Sequence, residues 1–311
     1  MKEFKDYNVS VILCTHKYVD YAEEQIRSIK NQINININII ISVDSDDKNT
    51  FIKWESLAKK YFEDKNISIV CGPMKGFSIN FLNTILNLNP NSDYYAFSDH
   101  DDIWDKNKLY KAVEKLNKYD GNKPLLYGSR SRYIDENNEF ISLSNKFSKN
   151  TVFRNALVQC FAGGNTMVFN NDLLKIIKKI GLVDVKSHDW WLYILVTSCE
   201  GIAIFDTEPH ISYRQHSLNI VGGNKGIKQS LLRLSYIFNG DYRKWNQTNV
   251  YYLNKNIAIL SLENKKVLYN FVKIQNGNIF ERIFYYIKSG VYRQTFFQNL
   301  ALFIFVLIKK I

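Results

Sequence analysis

The stretch YYAFSDHDDIW, residues 94–104, ends an apolar and aromatic run in a serine, a histidine and three carboxylates. One carboxylate is readily explained: Asp102 or Asp105 can cap a following helix, a common use of aspartate. Asp99 and Asp101 are then left side by side. Like charges repel unless a cation joins them. A D-x-D pair at the tip of a buried strand therefore points to a divalent cation. Hard oxygen ligands select Mg²⁺ or Mn²⁺, which complete their shells with water and substrate phosphates.

A second set of polar groups lies further along. In KSHDWWLYILV, residues 186–196, Asp189 stands directly before an apolar helical run. It is either a helix N-cap or a general base in a pocket walled by aromatics. Partial desolvation by the tryptophans would then make it a better base. Tyr213, Arg214, Gln215, His216 and Asn219 form a dense polar patch. Arg214 could hold a phosphate or carboxylate, and His216 could bind a metal or a phosphate. Gly163 and Gly164 allow close backbone approach to a ligand, or form an ordinary bulge.

These groups need elements that bring them together. Residues 8–14, 35–43, 67–71 and 94–98 read as strands, and 18–32, 50–62, 77–88 and 105–116 as helices. Four alternations predict a mostly parallel sheet with right-handed crossovers and helices on both faces. Ligands of such a sheet sit beyond the carboxyl ends of its strands. Those ends carry Thr15, then Asp44 to Asp47, then the loop with Lys75, then Asp99 to Asp102. Each has an ordinary use alone: Thr15 as a cap, Asp44 in a turn, Lys75 in solvent. After Lys118 the alternation loosens. Short strands are expected at 125–127, 132–134, 162–169 and 202–205, and a helix at 189–198. Helices rich in Tyr, Phe and Lys follow a soft boundary near residues 222–226.

At 311 residues with 46% apolar side chains, the chain has room for one large α/β domain with an appendage, or two small domains. The net charge of +11 favours phosphorylated ligands, an anionic membrane face or nucleic acid, or reflects a solvated lysine-rich surface. The lysines gather around no nucleic-acid reading motif, so nucleic acid ranks last. Cys14, Cys71, Cys160 and Cys199 are scattered, against a zinc site or disulfide framework, and fit a reducing compartment. The N-terminal residues do not read as a signal peptide. No run approaches the roughly 20 apolar residues of a membrane span. A cytosolic protein, or one peripheral on the inner face of the cell membrane, is expected. The dinucleotide, P-loop and nucleophile-elbow patterns are missing. An enzyme acting on a nucleoside-diphosphate compound remains.

Taken in order, VSVILCTHKYVDYAEEQIRSIKNQ, the Asp44–Asp47 cluster, GPMKGFSINF, FSDHDDIWDKNKL, HDWWLYILV and YRQHSLNIVGG resemble family 2 glycosyltransferases of GT-A fold. The likeness is nearest to bacterial rhamnosyltransferase-like members that build capsule, O-antigen or cell-wall polysaccharide, and it covers roughly residues 8–225. It implies a GT-A domain over 1–225, with a nucleotide-sugar half to about 118 and an acceptor half from 119, and a helical region over 226–311. It implies a dTDP- or UDP-sugar donor, a glycan or lipid-linked glycan acceptor, and inverting transfer. Thr15 and Asp44 would contact the nucleoside, with Lys75 near the donor. Asp99 would hold ribose and metal, and Asp101 the metal directly. His216 would join the metal or diphosphate. Asp189 would be the base, with Gly163, Gly164, His188 and Trp190 beside the acceptor. Here the second strand runs into SVDSDD rather than SDDGS, so the nucleobase contact falls on Asp44 or Asp46. His188 stands where many members carry Glu. A non-catalytic binding protein of the same fold is the alternative reading. Retention of Asp99, Asp101 and Asp189 argues against it.

The tail, YRQTFFQNLALFIFVLIKKI, is too short to span a bilayer. Arg282, Lys288 and Arg293 lie among aromatics just upstream of or within it. Contact with an anionic leaflet is one expectation. Packing on the catalytic domain or in a homodimer is the other.

Overall fold

The computed structural model describes residues 7–89, 91–119, 122–216, 235–236 and 238–311. Asn219 and the boundary expected near 222–226 lie outside the described residues. Three β-branched runs and one aromatic run pair in parallel as β1 (Tyr7–Thr15), β2 (Ile35–Val43), β3 (Ile67–Cys71) and the aromatic β4 (Tyr94–Ser98), in the order β3-β2-β1-β4. The sheet continues through β9 (Val168–Asn170), antiparallel to both neighbours. Then come β6 (Leu125–Ser129) and β10 (Ile202–Asp206), which are parallel to each other. A smaller sheet joins β5 (Ile103–Trp104), β11 (Ile211–Arg214), β7 (Arg132–Ile134) and β8 (Phe140–Leu143). It begins directly after the carboxylate loop.

Period-two alternation along β1 sends side chains to two cores. Val9, Val11 and Leu13 meet α1 (Ala22–Lys30), α2 (Lys48–Tyr61) and α4 (Lys108–Leu116). Ile12 and Cys14 share a core with α3 (Phe77–Leu86), the short α5 (Phe153–Ala156), α6 (Asn171–Ile180) and α7 (His188–Ser198). The WWLYILV run of α7 is apolar on every side, so it must be enclosed on every side. Residues from Trp190 to Ser198 are all buried. Four helices follow: α8 (Asp241–Lys255), α9 (Leu262–Asn276), α10 (Ile279–Ser289) and α11 (Phe296–Leu307). Their Leu253, Phe271, Leu302 and Phe305 enter the same core as α7.

Several expectations fail for local reasons. The first helix starts at Ala22, because Thr15 donates its hydroxyl to the Lys17 carbonyl at 2.6 Å and Trp54 donates to the same carbonyl. Thr15 therefore shapes a turn rather than capping a helix. The fourth helix starts at Lys108, after β5, and neither aspartate caps it. Asp105 pairs with Arg132, and Asp102 accepts from Asn165 at 2.6 Å in the core. Residues 162–169 are not one strand: Gly164–Thr166 form a 3₁₀ turn before β9. The polar stretch after residue 135 contains β8, and α6 is a helix the sequence reading missed.

The β6–β10 pair is fixed at its end by Asp206. Its carboxylate accepts from the Tyr127 hydroxyl at 2.9 Å and pairs with Lys115 at 2.6 Å. Burial alone would raise this carboxyl, but His210, Lys115, the Glu208 amide and Tyr127 together hold it well below the carboxylate range. A carboxyl lowered on folding stabilises the native state above the unfolded value of about 3.9, and that contribution fades as pH falls from there. Asp206→Asn is expected to lower unfolding free energy by about 1.5–3 kcal/mol at neutral pH in urea titrations. The deficit should shrink as acid is added.

Candidate active site

The strand ends open onto a cavity of about 770 Å³. Thr15, Asp44, Gly76, Asp99 and Asp101 line it from the tips of the parallel strands, and Gly163, Gly164, His188 and Asp189 from the later part of the chain. Asp44 rather than Asp46 faces the cavity. Its carboxylate accepts from the Met74 and Gly76 amides, the latter at 3.1 Å, and so shapes the loop after β3. A Cβ on Gly72 would stand 2.6 Å from Asp44 Oδ1, so that loop closes only over glycine. Asp46 is exposed, beside Asp47, which caps α2 through the Asn49 and Thr50 amides. Lys75 is also exposed and does not line the cavity.

Asp99 and Asp101 leave the tip of β4 together. Asp101 Oδ2 lies 2.7 Å from His216 Nε2 and 4.0 Å from His100 Nε2. Burial, and then the charges of Asp101 and Asp189, push the Asp99 carboxyl up to about 7. Among the described residues, Asp99 has no ion-pair partner. Among them, too, no group of three His, Cys, Asp or Glu side chains is gathered to hold a metal alone. The two carboxylates fit a hard divalent cation whose remaining ligands are phosphate oxygens and water. Asp101 and His216 already touch, so a cation bound by both would replace the proton they share.

Arg214 does not face the cavity. It is fully buried, and its guanidinium donates to Glu24 at 2.6 Å, Asn138 at 2.5 Å and the Asp101 carbonyl at 3.0 Å. It also stacks on Tyr21 at 4.1 Å, the ring that carries His216 on a stacked contact. The expected donor-phosphate ligand is thus a clamp on the backbone of the carboxylate loop. Trp190 is likewise turned away from the acceptor side. Its indole donates to the Ala156 carbonyl at 2.7 Å and stacks on Tyr242.

Asp189 lies inside the first turn of α7, so it is not the N-cap, which is Ser187. One carboxylate oxygen accepts from the Ser187 hydroxyl and the Trp190 amide; the other accepts from the Gly164 amide at 3.1 Å. The second oxygen keeps a lone-pair direction for a further donor. His188 stacks on Phe81 with centroids 4.1 Å apart and meets Phe97 edge-on. Among the described residues neither of its ring nitrogens has a hydrogen-bond partner, and burial lowers it to about 4. A Cβ on Gly164 would stand 2.5 Å from His188 Nε2. The glycine therefore lets the 3₁₀ turn lie against both His188 and Asp189.

Sequence reasoning missed part of the wall. Lys186, Arg293 and Gln298 all line the cavity. Arg293 was expected on a basic flank of the tail, and only the folding back of α11 brings it here. His16 and His100 also line it, with rings edge-on at 5.9 Å.

An α/β sheet with paired carboxylates at its fourth strand tip, and a separate aspartate across the crevice, suits a nucleotide-sugar glycosyltransferase. Residues 10–176 match Glycosyl transferase family 2, and the chain belongs to that family. It is 30% identical over 244 residues, 75% of this chain and 81% of the other, to dTDP-rhamnosyl transferase RfbG of Shigella flexneri. It is 24% identical over 257 residues, 82% of this chain and 94% of the other, to UDP-Glc:alpha-D-GlcNAc-diphosphoundecaprenol beta-1,3-glucosyltransferase WfgD of Escherichia coli. Among solved structures, S. aureus TarS 1-349 in complex with UDP-GlcNAc is similar in fold, with a TM-score of 0.52 and 16% identity over 89% of this chain and 83% of that one.

The raised Asp99 carboxyl sets a direction for cation binding. A proton competes for this site below about pH 7, so Mn²⁺ affinity should rise with pH through neutrality. Calorimetric titration should find it about tenfold tighter at pH 8 than at pH 6. Asp99→Asn should remove that slope.

Proposed function

We propose that this glycosyltransferase moves a sugar, with inversion, from a nucleoside-diphosphate sugar to a hydroxyl of a glycan acceptor. The carrying observation is that Asp99 and Asp101 from β4 and Asp189 from α7 line one cavity. Asp189 takes the proton from the acceptor hydroxyl as that oxygen attacks the anomeric carbon and the diphosphate departs from the opposite face. Asp99 and Asp101, with His216 beside them, would hold Mg²⁺ or Mn²⁺. When bound, that ion supplies the positive charge that stabilises a departing diphosphate. Thr15 and Asp44 belong to the nucleoside end. His188 stays neutral at working pH, and its buried ring, packed on Phe81 and Phe97, backs the Gly164 turn that shapes the acceptor side. Holding both substrates in one crevice removes much of the entropic barrier.

The likeness to RfbG supports dTDP-rhamnose as donor, and the likeness to WfgD supports a lipid-linked acceptor, with UDP-sugars as the other donor class. Both fit synthesis of capsule, O-antigen or cell-wall polysaccharide. Asp189→Asn should lower turnover by about 10²–10⁴ while calorimetry finds donor affinity nearly unchanged. Near-normal turnover would move the base elsewhere.

A lipid-linked acceptor calls for a membrane face. The tail packs on the rest of the chain by one face and leaves another apolar face exposed. Leu302, Phe305 and Val306 of α11 pack inward, while Phe296, Phe297, Leu300 and Ile304 stay exposed. On α10, Phe280, Phe284 and Ile287 are exposed as well, near the exposed Lys288. Among the described residues no helix is long and apolar enough to cross a membrane. Apolar side chains flanked by lysine suit the surface of an anionic leaflet. Full-length protein should float with phosphatidylglycerol vesicles, and a Phe280→Asp, Phe297→Asp variant should not. Equal flotation of the variant, or loss of dimer in its place, would reassign the face.

A further inference from the structure

The cavity is polarised in charge. Asp44, Asp99, Asp101 and Asp189 line it, and beside these stand two strongly basic side chains, Lys186 and Arg293. Neither base comes from a strand tip. Lys186 precedes α7, and Arg293 sits on the short strap between α10 and α11.

The strap is rigid. The Arg293 amide donates to Asn299 Oδ1 at 2.8 Å, and its carbonyl accepts from Asn299 Nδ2 at 2.7 Å. Next to it, Gln294 Oε1 accepts from the Ser148 and Lys149 amides, and the Gln294 amide donates to Gln159 at 3.0 Å. The guanidinium itself is unused. Among the described residues it has no hydrogen-bond or ion-pair partner, and its Nε is buried. A fixed backbone carrying an unpartnered guanidinium on a cavity wall is a preorganised anion ligand. Lys186 Nζ lies 5.3 Å from the Trp245 ring, a weak contact that leaves its charge available.

We propose that Arg293 and Lys186 form an acceptor subsite for a phosphate or diphosphate group carried by the second substrate. This rests on the glycosyltransfer reading above. A donor diphosphate held through a cation at Asp99 and Asp101 has its charge met there, so both bases remain available to a second anion. The same wall includes Gln298 of α11, whose outer face is the exposed apolar one. An acceptor glycan on a lipid phosphate could thus lie with its lipid at that face, its phosphate at Arg293 and its hydroxyl at Asp189.

The test uses full-length protein saturated with Mn²⁺ and UDP or dTDP, so that the donor end is filled. Inorganic pyrophosphate, farnesyl diphosphate and farnesol are then titrated by calorimetry. Both diphosphates should bind, and Arg293→Gln and Lys186→Gln should each weaken them by about 10- to 100-fold. Nucleotide affinity should not change, and Arg293→Lys should recover part of the loss. Tighter binding of farnesyl diphosphate than of pyrophosphate identifies a lipid carrier. Equal binding identifies a soluble phosphorylated acceptor. Diphosphate binding that ignores both substitutions, or a loss of nucleotide affinity in their place, would overturn the subsite. A chain that binds nucleotide but no diphosphate refutes this inference alone. A chain that binds diphosphate but no nucleotide refutes the proposed function and with it the acceptor role, and leaves only an anion site at Arg293 and Lys186.

Discussion

Asp99, Asp101 and Asp189 share one cavity, and among the described residues no ion pair meets Asp99. Burial, and then the charges of Asp101 and Asp189, raise the cost of ionising Asp99. A fold that keeps such a cluster at a strand tip keeps a standing demand for positive charge. Under the proposed function, a divalent ion arriving with a diphosphate would meet that demand and draw the donor to the place where its leaving group must be stabilised.

Much of the surrounding structure holds this cluster still. Arg214 reaches from β11 to Glu24 on α1 and to the Asp101 carbonyl, so one guanidinium ties a helix, a strand and the carboxylate loop together. On the other side, Gly164 lies against His188 and donates to Asp189. The proposed base and the proposed cation site are therefore mounted on separate elements. Turnover needs that arrangement, because small displacements of reacting groups cost large factors in rate.

The parallel half of the fold was legible because its signals are local. The β-branched runs at 35–43 and 67–71 and the aromatic run at 94–98 match their strands residue for residue. Reading the strand ends as one crevice also located Thr15, Asp44, Asp99 and Asp101 on a common cavity. What escaped depends on distant partners. Arg214 looks like a phosphate ligand until Glu24, far away in sequence, takes its charge. Trp190 and Asp189 are neighbours in sequence, yet the helical turn sends one into the core and the other to the cavity. Arg293 looked like part of a basic tail, because its position on the wall is set by Gln159, Ser148 and Asn299 rather than by its own neighbours.

The most direct measurement is anomalous scattering from a crystal soaked with Mn²⁺ and dTDP or UDP. The account predicts a manganese peak against Asp99 and Asp101, bridging to the nucleotide diphosphate on the side that faces Asp189. A nucleotide bound with no manganese at those carboxylates, or manganese bound away from the diphosphate, would contradict it.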